Sequence, residues 1–271
     1  MANVQFVTEQ VAPSTTSFSK PIELYVFVDL LHPDSWHLQT IIRRLQISYG
    51  HYFTIRYILS TELSSLNVAC QKINGCPVGD DFTDVSHPVL PSVAVKAAEL
   101  QGKKAGSRFL RKLQEYVLVD EKDVCLSSTL NEIAEHCRLD MVEFHSDFRS
   151  MEASRAFQND LCVTREMEVN EVPSLVFFNE NIEDEGLKVS GAYSFDVYEH
   201  ILQEMLDDTL IAQDPPALED LFRRYETLST KEVAEIYEIP EKLAERELKK
   251  RMLQQKVARL VCQRTSLWQI K

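Results

Sequence analysis

The stretch that most constrains the fold is IELYVFVDL, Ile22 to Leu30, which is apolar at nearly every position instead of alternating. A strand with one wet face alternates polar and apolar residues; an unbroken run rich in β-branched and aromatic side chains predicts a strand buried on both faces. A helix is expected almost at once. Pro33 and Asp34 suit its first turn, Leu38, Ile41, Ile42 and Leu45 recur at helical spacing, and Gly50 supplies a stop. FTIRYIL, Phe53 to Leu59, then reads as a second strand, which completes a βαβ unit with an expected right-handed crossover.

Between residues 61 and 167 strand signals vanish and apolar residues return at helical spacing in PVLPSVAVKAAELQGKKAGSRFLRKLQEYVL, STLNEIAEHCRL and MVEFHSDFRSMEASRAFQNDL. Val172 to Phe178 reads as a third strand. An acidic turn over Asn179 to Glu185, a short strand over Leu187 to Val189 and a helix from Ser194 to Leu206 follow. The fold class is therefore α/β, in the order of a thioredoxin core with a helical domain spliced into its middle: core over 21–60 and 168–208, helical insertion over 61–167. Residues 1–20 read as a polar tail and 209–220, with AQDPPALED, as a linker. Residues 221–271 form a separate module. Two helical segments split by Pro240 and an alternating VARLVCQRTSLWQI resemble a winged helix-turn-helix.

A net charge of −13 from 29 Lys+Arg against 42 Asp+Glu argues against nucleic acid or an anionic membrane as main partner and suits a basic protein partner. No run approaches the ~20 apolar residues of a membrane span, and the N-terminus lacks the pattern of a secretion signal, so a cytoplasmic protein is expected. Six cysteines, Cys70, Cys76, Cys125, Cys137, Cys162 and Cys262, contain no CxxC pair. Free thiols in a reducing compartment are the expectation, with Cys70 and Cys76 the closest candidates for a bridge. The seven histidines form no HxxxH or Cys-x-x-His cluster, and His32 and His37 are poorly spaced for one helix face, so no metal site is expected.

Beyond the first strand stands Asp29-Leu30-Leu31-His32-Pro33-Asp34-Ser35-Trp36. With Pro33, Trp36, Val172 and Pro173, the chain resembles DsbA-like proteins, which carry Cys-Pro-x-Cys-Trp here and a Val-Pro strand with a cis-proline after the helical insertion. His32 and Ser35 occupy the two cysteine positions. PIELYVFVD, AVKAAELQGKKAG, EDEGLKVSGAYSFDVYE and the trailing module further resemble the SpxH (YjbH) family of cytoplasmic ClpXP adapters over nearly all of residues 21–271. That resemblance implies a protein that binds the transcription factor Spx and promotes its degradation by ClpXP. Many relatives keep the cysteine motif, and some carry a His- and Cys-rich N-terminus. Residues 1–20 contain neither residue type.

Thiol–disulfide exchange needs one thiolate to attack and a second thiol to resolve, and neither sulfur is present at 32 and 35. The expectation is a non-catalytic thioredoxin fold without cofactor, docking its partner around His32, Pro33, Asp34, Ser35, Trp36, Val172 and Pro173. Ser35 and Asp34 would cap or charge-match the helix start, with His32 a loop residue. A cis Val172-Pro173 bond would shape the groove. Two other classes stay open. Kappa-class glutathione transferases share the architecture and use a serine at the first cysteine position, which is His32 here; with Ser35 at the second, a related transferase or isomerase using Ser35 stays open. A DNA-binding role for the last module meets Lys249, Lys250 and Arg251 but also Glu241, Glu245 and Glu247 on the candidate recognition helix. ENIEDE, Glu180 to Glu185, reads as a solvated turn or a steering patch for a basic partner.

Overall fold

A computed structural model of the chain describes residues 21–60, 89–179, 186–206, 209–260 and 266–271. The expected tail over 1–20, the ENIEDE turn, His87, Cys70, Cys76 and Cys262 lie outside these residues. Strand β1 (Ile22–Val28), helix α1 (Pro33–Tyr49) and β2 (Phe53–Leu59) form the βαβ unit, with β1 and β2 parallel from Ile22↔Phe53 to Val28↔Leu59. β3 (Ser174–Phe178) lies antiparallel on the other side of β1, with Phe27 opposite Ser174, and β4 (Leu187–Ser190) borders β3, giving the order β2-β1-β3-β4.

The reason β1 does not alternate is visible in its neighbours. Ile22, Leu24, Val26 and Val28 enter the main core with Leu175 and Phe177, whereas Phe27 enters a second cluster with Ile58 and Val176 on the opposite face. From Val26 to Val28 both faces are buried, and only Glu23, exposed at the start of the strand on the Phe27 face, breaks the apolar run.

Among the described residues, five helices separate β2 from β3: α2 (Leu90–Leu100), α3 (Lys103–Leu118), α4 (Ser127–His136), α5 (Met141–Phe148) and α6 (Met151–Glu166). The long periodic run read from the sequence is broken between α2 and α3 because Gly102, at φ 124°, takes a conformation other residues rarely adopt. Gly106 then lets the two helices approach closely, since a Cβ there would lie 2.9 Å from Glu99 Cβ. Asp160 of α6 ties this insertion to the sheet, accepting the Leu59 N–H at 2.9 Å and facing Lys96 Nζ at 2.6 Å.

α7 (Phe195–Leu206) covers the core after β4. α8 begins at Leu218, a buried residue, so the chain is already helical within the stretch expected to be linker. α8 (Leu218–Tyr225), β5 (Thr227–Ser229), α9 (Thr230–Ile236), α10 (Glu241–Leu253), β6 (Val257–Leu260) and β7 (Leu267–Ile270) follow, with an antiparallel sheet in the order β5-β7-β6. Their core, built around Leu221, Phe222, Leu228, Leu248 and Trp268, includes Ile47 of α1. The C-terminal unit therefore shares apolar contact with the thioredoxin core.

Cys125 is disulfide-bonded, which corrects the expectation of free thiols throughout. Such a pairing depends on the distance and direction of the two Cβ atoms in the fold, which sequence spacing does not give. Cys137 and Cys162 are free, the first buried and the second exposed. Burial pushes the Cys137 thiol up to about 12, which leaves it inert.

Candidate functional site

The helix start that would hold the dithiol is built by His32. At φ −86° and ψ 125° it is the N-cap of α1, and its Nδ1 accepts the Asp34 N–H at 3.3 Å. A ring nitrogen that accepts leaves the proton of a neutral imidazole on Nε2. His32 is thus the cap itself and not merely a loop residue. Pro33 follows in the first turn, where its missing N–H costs nothing, and Asp34 is exposed there.

Ser35 does something other than the capping expected of it. It is 0% exposed, and its Oγ accepts the Asp29 N–H at 3.1 Å while its own N–H reaches the His32 carbonyl at 3.1 Å. Asp29 Oδ1 in turn accepts the Leu31 N–H at 2.8 Å. The hydroxyl is structural, fastening the end of β1 to the first turn of α1. A buried, engaged hydroxyl cannot receive a glutathione thiol, so a transferase reading has nothing to attach to.

Trp36 is half-buried. The Arg111 guanidinium of α3 lies over its ring, 3.3 Å from the centroid. Val172-Pro173 is a cis peptide, as expected; Pro173 is buried and its carbonyl accepts the Gly191 N–H at 2.8 Å. The antiparallel register that sets Phe27 against Ser174 brings Pro173 to the same end of the sheet as the loop from Asp29 to His32. Of the seven residues expected to dock a partner, Pro33 and Asp34 are exposed, His32, Trp36 and Val172 partly so, and Ser35 and Pro173 are sealed in the scaffold.

Sequence reading missed the group that joins this site to the rest. Glu232 of α9, fully buried, lies 3.0 Å from Arg43 Nη1 of α1 and 2.9 Å from Arg111 Nη2 of α3. It also completes a capping box, accepting the Ser229 N–H at 2.7 Å while Ser229 Oγ accepts the Glu232 N–H at 3.1 Å. The Ser229-Thr230-Lys231-Glu232 spacing carried that signal; the two arginine partners did not follow from it. Next to it, Lys231 Nζ lies 3.1 Å from His37 Nδ1, and burial together with Lys231 holds the His37 pKa below its ordinary value.

The basic run on α10 is neutralised locally. Lys249 pairs with Glu245 and Lys250 with Glu247, each at 2.7 Å, and Arg251 lies 3.4 Å from Glu247. Such a face offers phosphates little net charge. Among the described residues no group of three or more His, Cys, Asp or Glu could hold a metal, and no helix is long and apolar enough to cross a membrane.

A sequence profile of the family described as Thioredoxin matches residues 25–200. A putative protein disulfide isomerase from Nitrosomonas europaea superposes with a TM-score of 0.53 at 15% identity, covering 70% of this chain and 97% of its own. The alpha-DsbA1 protein from Wolbachia pipientis gives 0.51 at 10% identity over 69% and 86%. Fold and loop together define a DsbA-like thioredoxin-fold protein whose two dithiol positions hold His32 and Ser35. Sequence similarity narrows the class: the ClpXP adapter protein SpxH of Bacillus subtilis is 40% identical over 92% of this chain and 89% of its own, and that of Bacillus cereus (strain ATCC 14579) 38% over 92% and 91%. The chain belongs to the SpxH family.

Proposed function

We propose that this protein is a cytoplasmic adapter that binds the transcription factor Spx and promotes its degradation by the ClpXP protease, without performing any covalent step. The observation that carries the reading is full-length similarity to relatives named ClpXP adapter protein SpxH in a chain whose thiol positions hold an N-capping imidazole and a buried hydroxyl. Binding energy alone can hold a partner in the conformation a protease accepts, provided that conformation is bound better than the alternatives. ClpXP is engaged through the presented partner. The C-terminal unit acts as a winged-helix-like protein module, with the basic run of Lys249, Lys250 and Arg251 paired to Glu245 and Glu247.

Docking takes place on the face around His32 to Trp36 and Val172-Pro173. Pro33, Asp34 and His32 supply the contact surface there, with Val172 beside them. Ser35, Trp36 and Pro173 hold that surface in place, because the first and last are buried and Trp36 packs under Arg111. The direct test is degradation of Spx by purified ClpXP with and without this protein. Acceleration is expected, and an unchanged rate would sink the adapter reading. A Pro33→Ala, Asp34→Lys double variant locates the surface without disturbing Trp36: weakened Spx affinity in a folded protein places docking here, and unchanged affinity moves it elsewhere.

A further inference from the structure

Where α1, α3 and the C-terminal unit meet lies a cavity of about 640 Å³, and its lining is basic in an otherwise acidic protein. Lys104, Arg108 and Arg111 project from one stripe of α3, because spacings of four and three residues place side chains on the same helix face. Lys103 adds to them, Arg43 comes from α1 and Arg224 from α8. Glu115, one of two carboxylates in the lining, is already shared between Lys112 Nζ at 2.8 Å and Arg111 Nε at 3.4 Å, and it accepts the Thr227 hydroxyl. Lys103, Lys104 and Arg224 pair with no carboxylate among the described residues.

The deepest member of this lining is incompletely bonded. Arg111 is 6% exposed; its Nη2 reaches Glu232 and its Nε faces Glu115 Oε1 at 3.4 Å, but its Nη1 has no hydrogen-bond partner. The buried Tyr225 hydroxyl, another lining group, also lacks a partner. Burial, with Arg43 beside it, holds Arg111 down at about 10 in spite of Glu232 and Glu115. Buried donors, charged ones above all, are ordinarily satisfied, and Arg111 Nη1 and the Tyr225 hydroxyl, left without partners in the lining of a basic cavity, ask for an anion.

We infer that this cavity binds a small multivalent anion, a phosphate ester or polycarboxylate, bridging Arg111 and Arg43 to the outer ring of Lys103, Lys104, Arg108 and Arg224. The overall charge of −13 disfavours long polyanions, whereas a compact anion within the Debye length of roughly 8 Å feels mainly the local cations. Because the lining comes from all three units of the fold, such a ligand stabilises their assembly, and its binding is linked to the placement of the C-terminal unit.

Titration calorimetry and thermal unfolding of the full-length protein with pyrophosphate and with citrate, against sodium chloride at matched ionic strength, test the site and tell the two anion classes apart. Binding of one anion per chain and a raised unfolding temperature are expected. Lys104 and Arg224 are exposed, so a Lys104→Gln, Arg224→Gln variant keeps the fold; its affinity should drop by roughly tenfold or more, the effect of losing charge-assisted bonds. Pyrophosphate and citrate no better than chloride, equal affinity in the variant, or binding confined to an acidic peptide would each overturn the proposal.

Discussion

Glu232 and Arg111 meet at 2.9 Å across the junction between the C-terminal unit and the helical insertion, and both side chains are almost wholly buried. Arg43 reaches the other carboxylate oxygen and also donates to the Thr227 carbonyl at 3.3 Å. One carboxylate therefore connects three parts of the chain, and the guanidinium it holds is the one that lies over Trp36 beside the candidate docking loop.

Removing that carboxylate should be costly. Arg43 would lose its carboxylate and Arg111 would keep only Glu115, at 3.4 Å, while both stay buried; deleting one partner of a buried pair typically costs about 3–5 kcal/mol. Glu232→Ala is expected to lower the urea midpoint accordingly and to expose the linker around residues 209–217 to proteases. A triple change of Glu232, Arg43 and Arg111 to apolar residues of similar size should recover much of the loss, because no charge is then left unpaired. Wild-type stability in Glu232→Ala would show that the junction is held by apolar contact alone.

The same carboxylate predicts a pH dependence. Burial by itself would raise the Glu232 pKa, but Arg111, Arg43 and the bonds from Ser229 outweigh it and leave the pKa below the usual 4.5. A folded-state value below the unfolded one gives stability that is complete above 4.5 and is lost as pH falls through the lower folded value. Between pH 7 and 3 the stability gap between wild type and Glu232→Gln should narrow, with the closing confined to pH below about 4.5. A gap constant across that range would refute the assignment.

Gly106 gives a steric prediction. Alanine there would bring its Cβ to 2.9 Å from Glu99 Cβ and 3.0 Å from Glu99 Cα, distances that force α2 and α3 apart. Alanine is the better helix former, so propensity alone predicts stabilisation by about 1 kcal/mol. The clash should win. Gly106→Ala is expected to destabilise by about 1–3 kcal/mol in thermal or chemical unfolding, as overpacking does.

These cases mark what could be read from the sequence. The β1, α1, β2 unit was legible because its signals are local: an unbroken apolar run, a proline at a helix start, a period near 3.6. The matching places of Pro33, Trp36, Val172 and Pro173 located the loop and the cis peptide. What escaped were pairings of distant residues. Arg111 sits in an amphipathic helix where an arginine reads as surface, and only folding reveals Trp36 against one face and Glu232 on its fork. Ser35 looked like a capping residue by type and position, yet the hydroxyl serves Asp29, six residues back. Cys125 found its disulfide through tertiary structure, which spacing does not encode.

The retained loop geometry makes one final test possible, the return of two thiols at positions 32 and 35. His32 is partly exposed at the N-cap of α1, where the helix dipole and the Asp34 N–H, which the imidazole now accepts, favour a thiolate; Ser35, three residues on, is buried. His32→Cys with Ser35→Cys should therefore form a disulfide, lowering the titratable thiol count by two relative to the reduced double variant, and should catalyse disulfide reduction that wild type does not. The cost is a weaker acceptor for the Asp29 N–H, about 1 kcal/mol of stability. Under reducing conditions the same variant should still accelerate Spx degradation if the surface is used only for docking. A double variant that folds but forms no disulfide would mean that the loop has lost dithiol geometry along with its sulfur atoms. A variant that gains redox activity and keeps adapter function would separate the two uses of one scaffold.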